Sequence, residues 1–324
     1  MKSSSQVIIQ QFNCSSMGTR FDFLTYGLDE AFFFSAKIFI INELERIEQK
    51  FSRYNDESEI SKINKLAARE PVSTDAETLS LLALCKEYYC KTNRLFDIAV
   101  GRYTICNVNN VSLETGSDSA LYSQGILIEN CSPGADNIIL DFDGSTVFFQ
   151  DTMISIDLGG IGKGYALEKI RKYCTENHIS NALINFGDSS ITTLGSHPHG
   201  DYWPIGIQHS FSPGKTIYTF KLNDSSLSTS GNNLNNQNKY GANGHIINPL
   251  TGIFQKELKT VSVLADSPIE AEVLSTSLYI AGDKDKAEIL SQFKPMELIA
   301  ISYNQLKEHH LINLNQELNI SNNE

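Results

Sequence analysis

The chain has 324 residues, enough for one large unit or about two domains, and a 41% hydrophobic content is sufficient to build a core. Against 38 Asp and Glu it carries only 26 Lys and Arg, a net charge of −12 with a pI near 5.1, which excludes a surface built to grip nucleic-acid phosphates. It contains no run of 18 or more apolar residues, so no transmembrane helix is expected.

At the N-terminus only Val7-Ile8-Ile9 is apolar, short of the roughly 7–15 residues a secretory signal uses. No apolar run precedes Cys14, so a lipid-anchored cysteine is not expected. The six cysteines form no Cys-x-x-Cys and no zinc-spaced pair, and read as free thiols of a reducing, cytoplasmic compartment. Phe21, Phe23 and Thr25 alternate with Asp22 and Leu24, which predicts a strand. Phe33, Ala36, Ile40, Leu44, Ile47 and Phe51 recur at helical spacing, with Glu43, Glu45, Arg46 and Glu48 off that face. Thr74-Asp75-Ala76-Glu77 fits a capping box ahead of a second helix striped by Leu79, Leu82, Cys85 and Tyr89.

Residues 137–149 read as a hairpin with a primed turn at Asp143-Gly144, and residues 154–157 as a further strand. A helix is predicted from Lys163 to Tyr173, then strands at 182–186, 205–208, 217–222 and 260–264. The stretch 232–243, with six Asn, is a polar loop; Pro268 opens a helix that runs to Ala281. Strands mixed with segregated helices give an α+β fold with a largely antiparallel sheet. With no linker-like segment and no repeat, a single domain over 1–324 is expected.

Three segments carry candidate chemistry. In Asp157-Leu-Gly-Gly160-Ile-Gly-Lys163-Gly-Tyr-Ala, a glycine-rich turn leads from a strand into a helix, whose exposed N–H groups and positive end suit a phosphate. It is neither a Walker loop, since Gly164 stands where Ser or Thr would follow the Lys, nor a dinucleotide fingerprint. The bland reading is a tight corner; Asp157 and Lys163 so close together point to a site. Glu272 and Thr276, four apart on one helix face, offer two hard oxygens that suit Mg²⁺, although such pairs also occur on solvated helices. His245 stands in Gly244-His-Ile246-Ile-Asn248-Pro-Leu-Thr-Gly252, between turn dipeptides, and is a candidate base or phosphate contact. The other six histidines read as bystanders.

Taken in order, these segments resemble the ApbE-type FAD:protein FMN transferase family. Met17-Gly18-Thr19, Phe51-Ser-Arg-Tyr54 followed by Ser58-Glu-Ile-Ser61 and Asn64, Phe96-Asp97, the Asp157–Ala166 run, Ser230-Gly231, His245–Gly252 and Ala271–Thr276 all match its pattern, across about residues 16 to 282. Residues 283–324 form C-terminal strands and a tail outside the motifs.

The resemblance implies a T-fold-like α+β enzyme that takes FAD as substrate and uses Mg²⁺. FMN is transferred to a Thr or Ser hydroxyl of an acceptor flavoprotein, and AMP is released. By the same resemblance Met17, Tyr54, Leu95, Phe96 and Asp97 line the flavin and adenine pockets, Leu95 through its backbone. Asp157 and Lys163 hold the ribityl and phosphate portion, and Ile246 contributes from its strand. The Gly160 carbonyl, Glu272 and Thr276 hold the metal, while His245 and Lys163 act at the reacting phosphate. Three positions depart from the family pattern: Glu272 and Asn248 replace Asp, and Gly187-Asp188 replaces Gly-Gly. An FAD-binding protein without transfer, or a Mg²⁺-dependent FAD pyrophosphatase giving FMN and AMP, would share the same pocket.

Overall fold

The computed structural model describes residues 7–101, 103, 134–212, 214–231, 246–304 and 308–313. The chain opens with β1 (Ile9–Ser16) and β2 (Thr19–Tyr26), followed by α1 (Glu30–Phe51), α2 (Glu59–Leu66), β3 (Val72–Ser73) and α3 (Ala76–Lys91). Next come β4 (Ile138–Asp141), β5 (Thr146–Phe149) and α4 (Gly162–Glu176), then β6 (Ala182–Phe186), β7 (Ser190–Leu194), β8 (Trp203–Gln208), β9 (Thr216–Leu222) and β10 (Ser226–Gly231). The rest is β11 (Ile247–Asn248), β12 (Ile253–Phe254), β13 (Lys259–Ala265), α5 (Pro268–Ile280), α6 (Asp283–Gln292), β14 (Glu297–Tyr303) and β15 (His309–Asn313).

Eight strands form one sheet in the order β1-β2-β6-β7-β10-β13-β14-β15, antiparallel at every pairing. Its two faces bury different partners because side chains alternate along each strand. Phe21, Phe23, Ile184, Phe186, Val261 and Val263 join the main core with the helices, while Ile191, Leu227, Ile299 and Ile301 form a second core against Trp203, Phe220 and Leu222 of the β8–β9 hairpin. The α+β expectation with a largely antiparallel sheet is met. In α1, Asp29 accepts from Phe32 N–H at 2.8 Å, and Ala36, Ile40, Leu44, Ile47 and Phe51 form its buried stripe.

Three local expectations are corrected. The N-cap of α3 is Asp75, whose Oδ1 accepts from Thr78 N–H at 2.9 Å; Thr74 instead donates its hydroxyl to Glu59, which leaves the next residue to cap. The hairpin at 138–149 has no primed two-residue turn. Its last pair is Asp141 with Thr146, and four residues close the loop, with Gly144 N–H donating to Asp141 Oδ1 at 2.9 Å and Ser145 at φ +52°. Residues 154–157 form only a single bridge, Ser155 with Val100. Asn64 takes both backbone groups of Ile156, donating to its carbonyl at 2.9 Å and accepting from its N–H at 2.7 Å, so no sheet neighbour is needed there. The 232–243 stretch lies outside the described residues.

The helices are tied together through Glu77. It accepts from Arg46 at 2.7 Å and from the Tyr165 hydroxyl at 2.7 Å, with Lys50 and Lys169 alongside at 3.4 and 3.3 Å. Hydrogen bonding from Arg46 holds the Glu77 carboxyl well below its ordinary value of 4.5, against a smaller opposing effect of burial. Burial and the bond to Glu77 together push the Tyr165 phenol up. Because Glu77 is depressed in the folded chain, its stabilisation is full above pH 4.5 and is lost as pH falls from there toward the folded value. Replacing it, Glu77→Gln, should cost on the order of 1–2 kcal/mol at pH 7 and distinctly less at pH 3, read from urea unfolding of both proteins.

Candidate active site

The site forms where four connections meet on the helical side of the sheet. The first is the β1–β2 turn, in which Met17 (φ +49°) and Gly18 (φ +71°) both lie in the left-handed region, as a two-residue primed hairpin turn requires. A long side chain is uncommon there, and Glu48 of α1 fixes it by accepting from Met17 N–H at 2.8 Å and Ser16 Oγ at 3.0 Å. Glu48 reads in the sequence as part of a solvated face; only the fold turns it toward this turn.

The second connection is the Gly159-Gly160 corner leading into α4. Asp157 Oδ1 accepts from Gly159 N–H at 2.8 Å, and its Oδ2 pairs with Arg53 at 2.9 Å. The Arg53 side chain is only 8% exposed, so this ion pair is a fixed strut between the end of α1 and the corner. Asp157, expected to touch the ribityl and phosphate portion, also shapes the turn with both carboxylate oxygens. Arg53 and Asn64 appear in the sequence motif without a role, and the fold gives both one: together they position residues 156–159. Met17 and Phe96 border the corner, the first about 3.9 Å from where a Cβ on Gly162 would stand and the second 3.5 Å from one on Gly160.

The third is the loop after α3. Leu95 and Phe96 are buried, Phe96 N–H donates to the Thr92 hydroxyl at 3.0 Å, and Asp97 Oδ1 accepts from Ala99 N–H at 2.8 Å. Tyr54 stands apart at 84% exposure with the Arg53 guanidinium over its ring, so it belongs to the rim.

The fourth is α5, started by Ser267 as N-cap with Pro268 in the first turn. Glu272 is 3% exposed; it accepts from Lys163 Nζ and from Gly164 N–H, with Ser190 Oγ at 3.4 Å. Gly164 N–H is one of the amides that a helix start leaves without a backbone acceptor, so Glu272 closes the positive end of α4 from the neighbouring helix. One turn further on, Thr276 Oγ1 lies 2.9 Å from Ser230 Oγ, and Ser275 bridges Ser228 at 3.1 Å and Ser230 at 2.8 Å. Serines at 226, 228 and 230 are a period-two signal in the sequence: small hydroxyls on one face of β10 let α5 approach the sheet and supply its partners.

Ile246 is buried, its carbonyl accepting from Gln255 N–H at 2.8 Å, whereas His245 lies outside the described residues. Asn248 accepts from Leu250 N–H at 2.9 Å, a turn-closing role that Asp or Asn fills equally. At the other departure Gly187 (φ +69°) and Asp188 (φ +58°) both sit in the left-handed region, and Asn185 holds Asp188 at 2.7 Å. Burial pushes the Cys174 thiol up to about 12 and Cys85 further, which removes both as nucleophiles. Among the described residues no group of three or more His, Cys, Asp or Glu converges on one point. None of their helices is long and apolar enough to cross a membrane.

A profile of the ApbE family matches residues 17–300. The chain belongs to the ApbE family. Its curated relatives include a FAD:protein FMN transferase of Klebsiella pneumoniae, 24% identical over 300 residues that cover 92% of this chain and 90% of the relative. Another, from Chlamydia muridarum, is 29% identical over 254 residues, 75% of each. Flavin transferase ApbE from Vibrio cholerae superposes with a TM-score of 0.73 at 19% identity, covering 95% of this chain and 97% of that one. The ApbE protein of Thermotoga maritima gives the same TM-score at 21% identity, over 94% and 97%. These likenesses establish that the ApbE family's α+β fold is the fold of this chain.

The close packing of α4 on α5 gives a direct test. A Cβ on Gly164 would lie 2.8 Å from Glu272 Oε2, 2.8 Å from Pro268 O and 3.0 Å from Ile269 Cα, two of them backbone atoms that cannot step aside. Gly164→Ala should therefore destabilise the fold by roughly 2–3 kcal/mol in chemical denaturation.

Proposed function

We propose that this chain transfers the FMN portion of FAD to a Thr or Ser hydroxyl of an acceptor flavoprotein, releasing AMP. Membership of the ApbE family and the names of its relatives support flavin transfer. The observation that carries the reading is the meeting of Lys163, the start of α4, buried Glu272 and Thr276 at one corner bordered by Met17 and Phe96.

The chemistry follows from charge. A pyrophosphate repels an incoming oxygen until its negative charge is neutralised, and a lysine ammonium with helix N-terminal amides offers that without a covalent intermediate. In the transfer the acceptor oxygen bonds to the FMN phosphorus, the bond to the AMP oxygen breaks, and AMP leaves with that electron pair. His245 is assigned to take the hydroxyl proton. Met17 and Phe96 provide apolar surface at the corner, with Tyr54 at the rim.

The donor set also suits a hard divalent cation. Glu272 is a buried carboxylate that already holds a cationic group, the Lys163 ammonium, and Thr276 presents a hydroxyl one turn along the same face. Mg²⁺ would be held by Glu272, Thr276 and the Gly160 carbonyl, and when bound it supplies Lewis-acid neutralisation of phosphate charge.

Incubated with FAD, Mg²⁺ and a Thr-bearing flavoprotein domain, the protein should add the mass of FMN to the acceptor. Release of AMP and FMN without acceptor labelling would identify hydrolysis instead, and bound FAD with neither product would identify a binding protein. Glu272→Gln and Thr276→Val should each lower turnover by roughly 100-fold or more while FAD binding persists, and full turnover in either would remove the cation site.

A further inference from the structure

Glu272 answers its buried charge entirely from within the chain. Gly164 N–H holds Oε2, the Lys163 ammonium holds Oε1, and Ser190 Oγ stands 3.4 Å from Oε1. The carboxylate side chain is 4% exposed and that of Lys163 22%, so the lysine is the more open partner of the pair. Glu272 is one methylene longer than Asp, and the added reach allows one carboxylate to span an amide of α4 and an ammonium beside it.

That arrangement conflicts with a cation on the same oxygen. An ammonium and a divalent ion repel each other, and both need the charge of Oε1. Nor can the ammonium neutralise a phosphate while it is spent on Glu272. The lysine stem is flexible, with four carbons between backbone and charge, so the ammonium can exchange partners without movement of α4. Gly164 N–H, fixed in the helix, keeps the carboxylate aimed throughout.

We propose that Lys163 is the resident counter-ion of the cation seat: its ammonium holds Glu272 in the free protein, yields Oε1 to a divalent cation, and is thereby delivered to the FAD pyrophosphate. The proposal rests on the reading of this corner as a cation and FAD site. It makes the two ligands reciprocal. A cation on Glu272 frees the ammonium for phosphate, and a phosphate that draws the ammonium away opens Glu272 to the cation.

Mn²⁺ binding to the full chain, measured by electron paramagnetic resonance without FAD or acceptor, tests this. If the ammonium occupies the seat nine-tenths of the time, Lys163→Met should bind Mn²⁺ about 10-fold more tightly than the unaltered protein. Adding FAD should tighten Mn²⁺ binding to the unaltered protein, and by a smaller factor in Lys163→Met. Equal or weaker Mn²⁺ binding by Lys163→Met overturns the proposal while leaving the cation site standing. Mn²⁺ binding that is absent, or unchanged in Glu272→Gln, overturns the cation site as well. Should Lys163→Met fail to fold, the ¹³Cε resonance of Lys163, assigned by its loss in Lys163→Arg, should shift as Mg²⁺ alone is added. A resonance that stays fixed through Mg²⁺ saturation overturns the proposal.

Discussion

A carboxylate with 3% of its surface exposed cannot be left unanswered in the core of a protein, and Glu272 is answered on both oxygens. The penalty for an uncompensated buried charge is several kcal/mol, comparable with the ~5–15 kcal/mol that holds a whole domain together. The contact from Gly164 is therefore a condition of the fold as well as a feature of the site, and that from Lys163 supplies a cationic partner for the second oxygen. They bind the start of α4 to the middle of α5, and the missing side chain at Gly164 lets the helices come close enough for it.

The sheet beneath prepares this junction. Ser190 on β7 and the alternating serines of β10 face the helices, while Ile191 and Leu227 on the same strands face the β8–β9 hairpin. Small hydroxyls on one side and branched apolar groups on the other let two strands serve a polar site and a dry core at once. The corner before α4 is braced separately, by Arg53 on Asp157 and Asn64 on Ile156, so the glycines of residues 159–160 need not supply their own rigidity.

Much of this was legible in the sequence where a single period governs the residues. The stripe of α1, the alternation of β2 and the run from Pro268 along α5 follow from spacing, and the glycine corner with Lys163 stands out by composition, whereas Glu272 is raised only by its spacing to Thr276 and by the family resemblance. The parts that were not legible depend on partners far away in the chain. Asp75 caps α3 because Glu59 has captured Thr74, and residues 154–157 stay out of a ladder because Asn64 satisfies Ile156. That Asp157 also holds Arg53, 104 residues earlier, is not visible in its own segment. Glu48 reads as a solvated helix position and Glu77 as part of a capping box; they are instead the acceptors that fix the Met17 turn and join three helices, α1, α3 and α4. A period identifies a face; it does not say which charge that face will meet.

The claim that Glu272 both closes α4 and seats a cation is tested most directly by anomalous diffraction from crystals soaked with Mn²⁺ and FAD. The account predicts one anomalous peak beside Glu272 and Thr276, with Gly164 N–H still on Oε2 and the Lys163 ammonium turned onto the pyrophosphate. A cation bound elsewhere, or Lys163 still on Glu272 beside a bound dinucleotide, would contradict it.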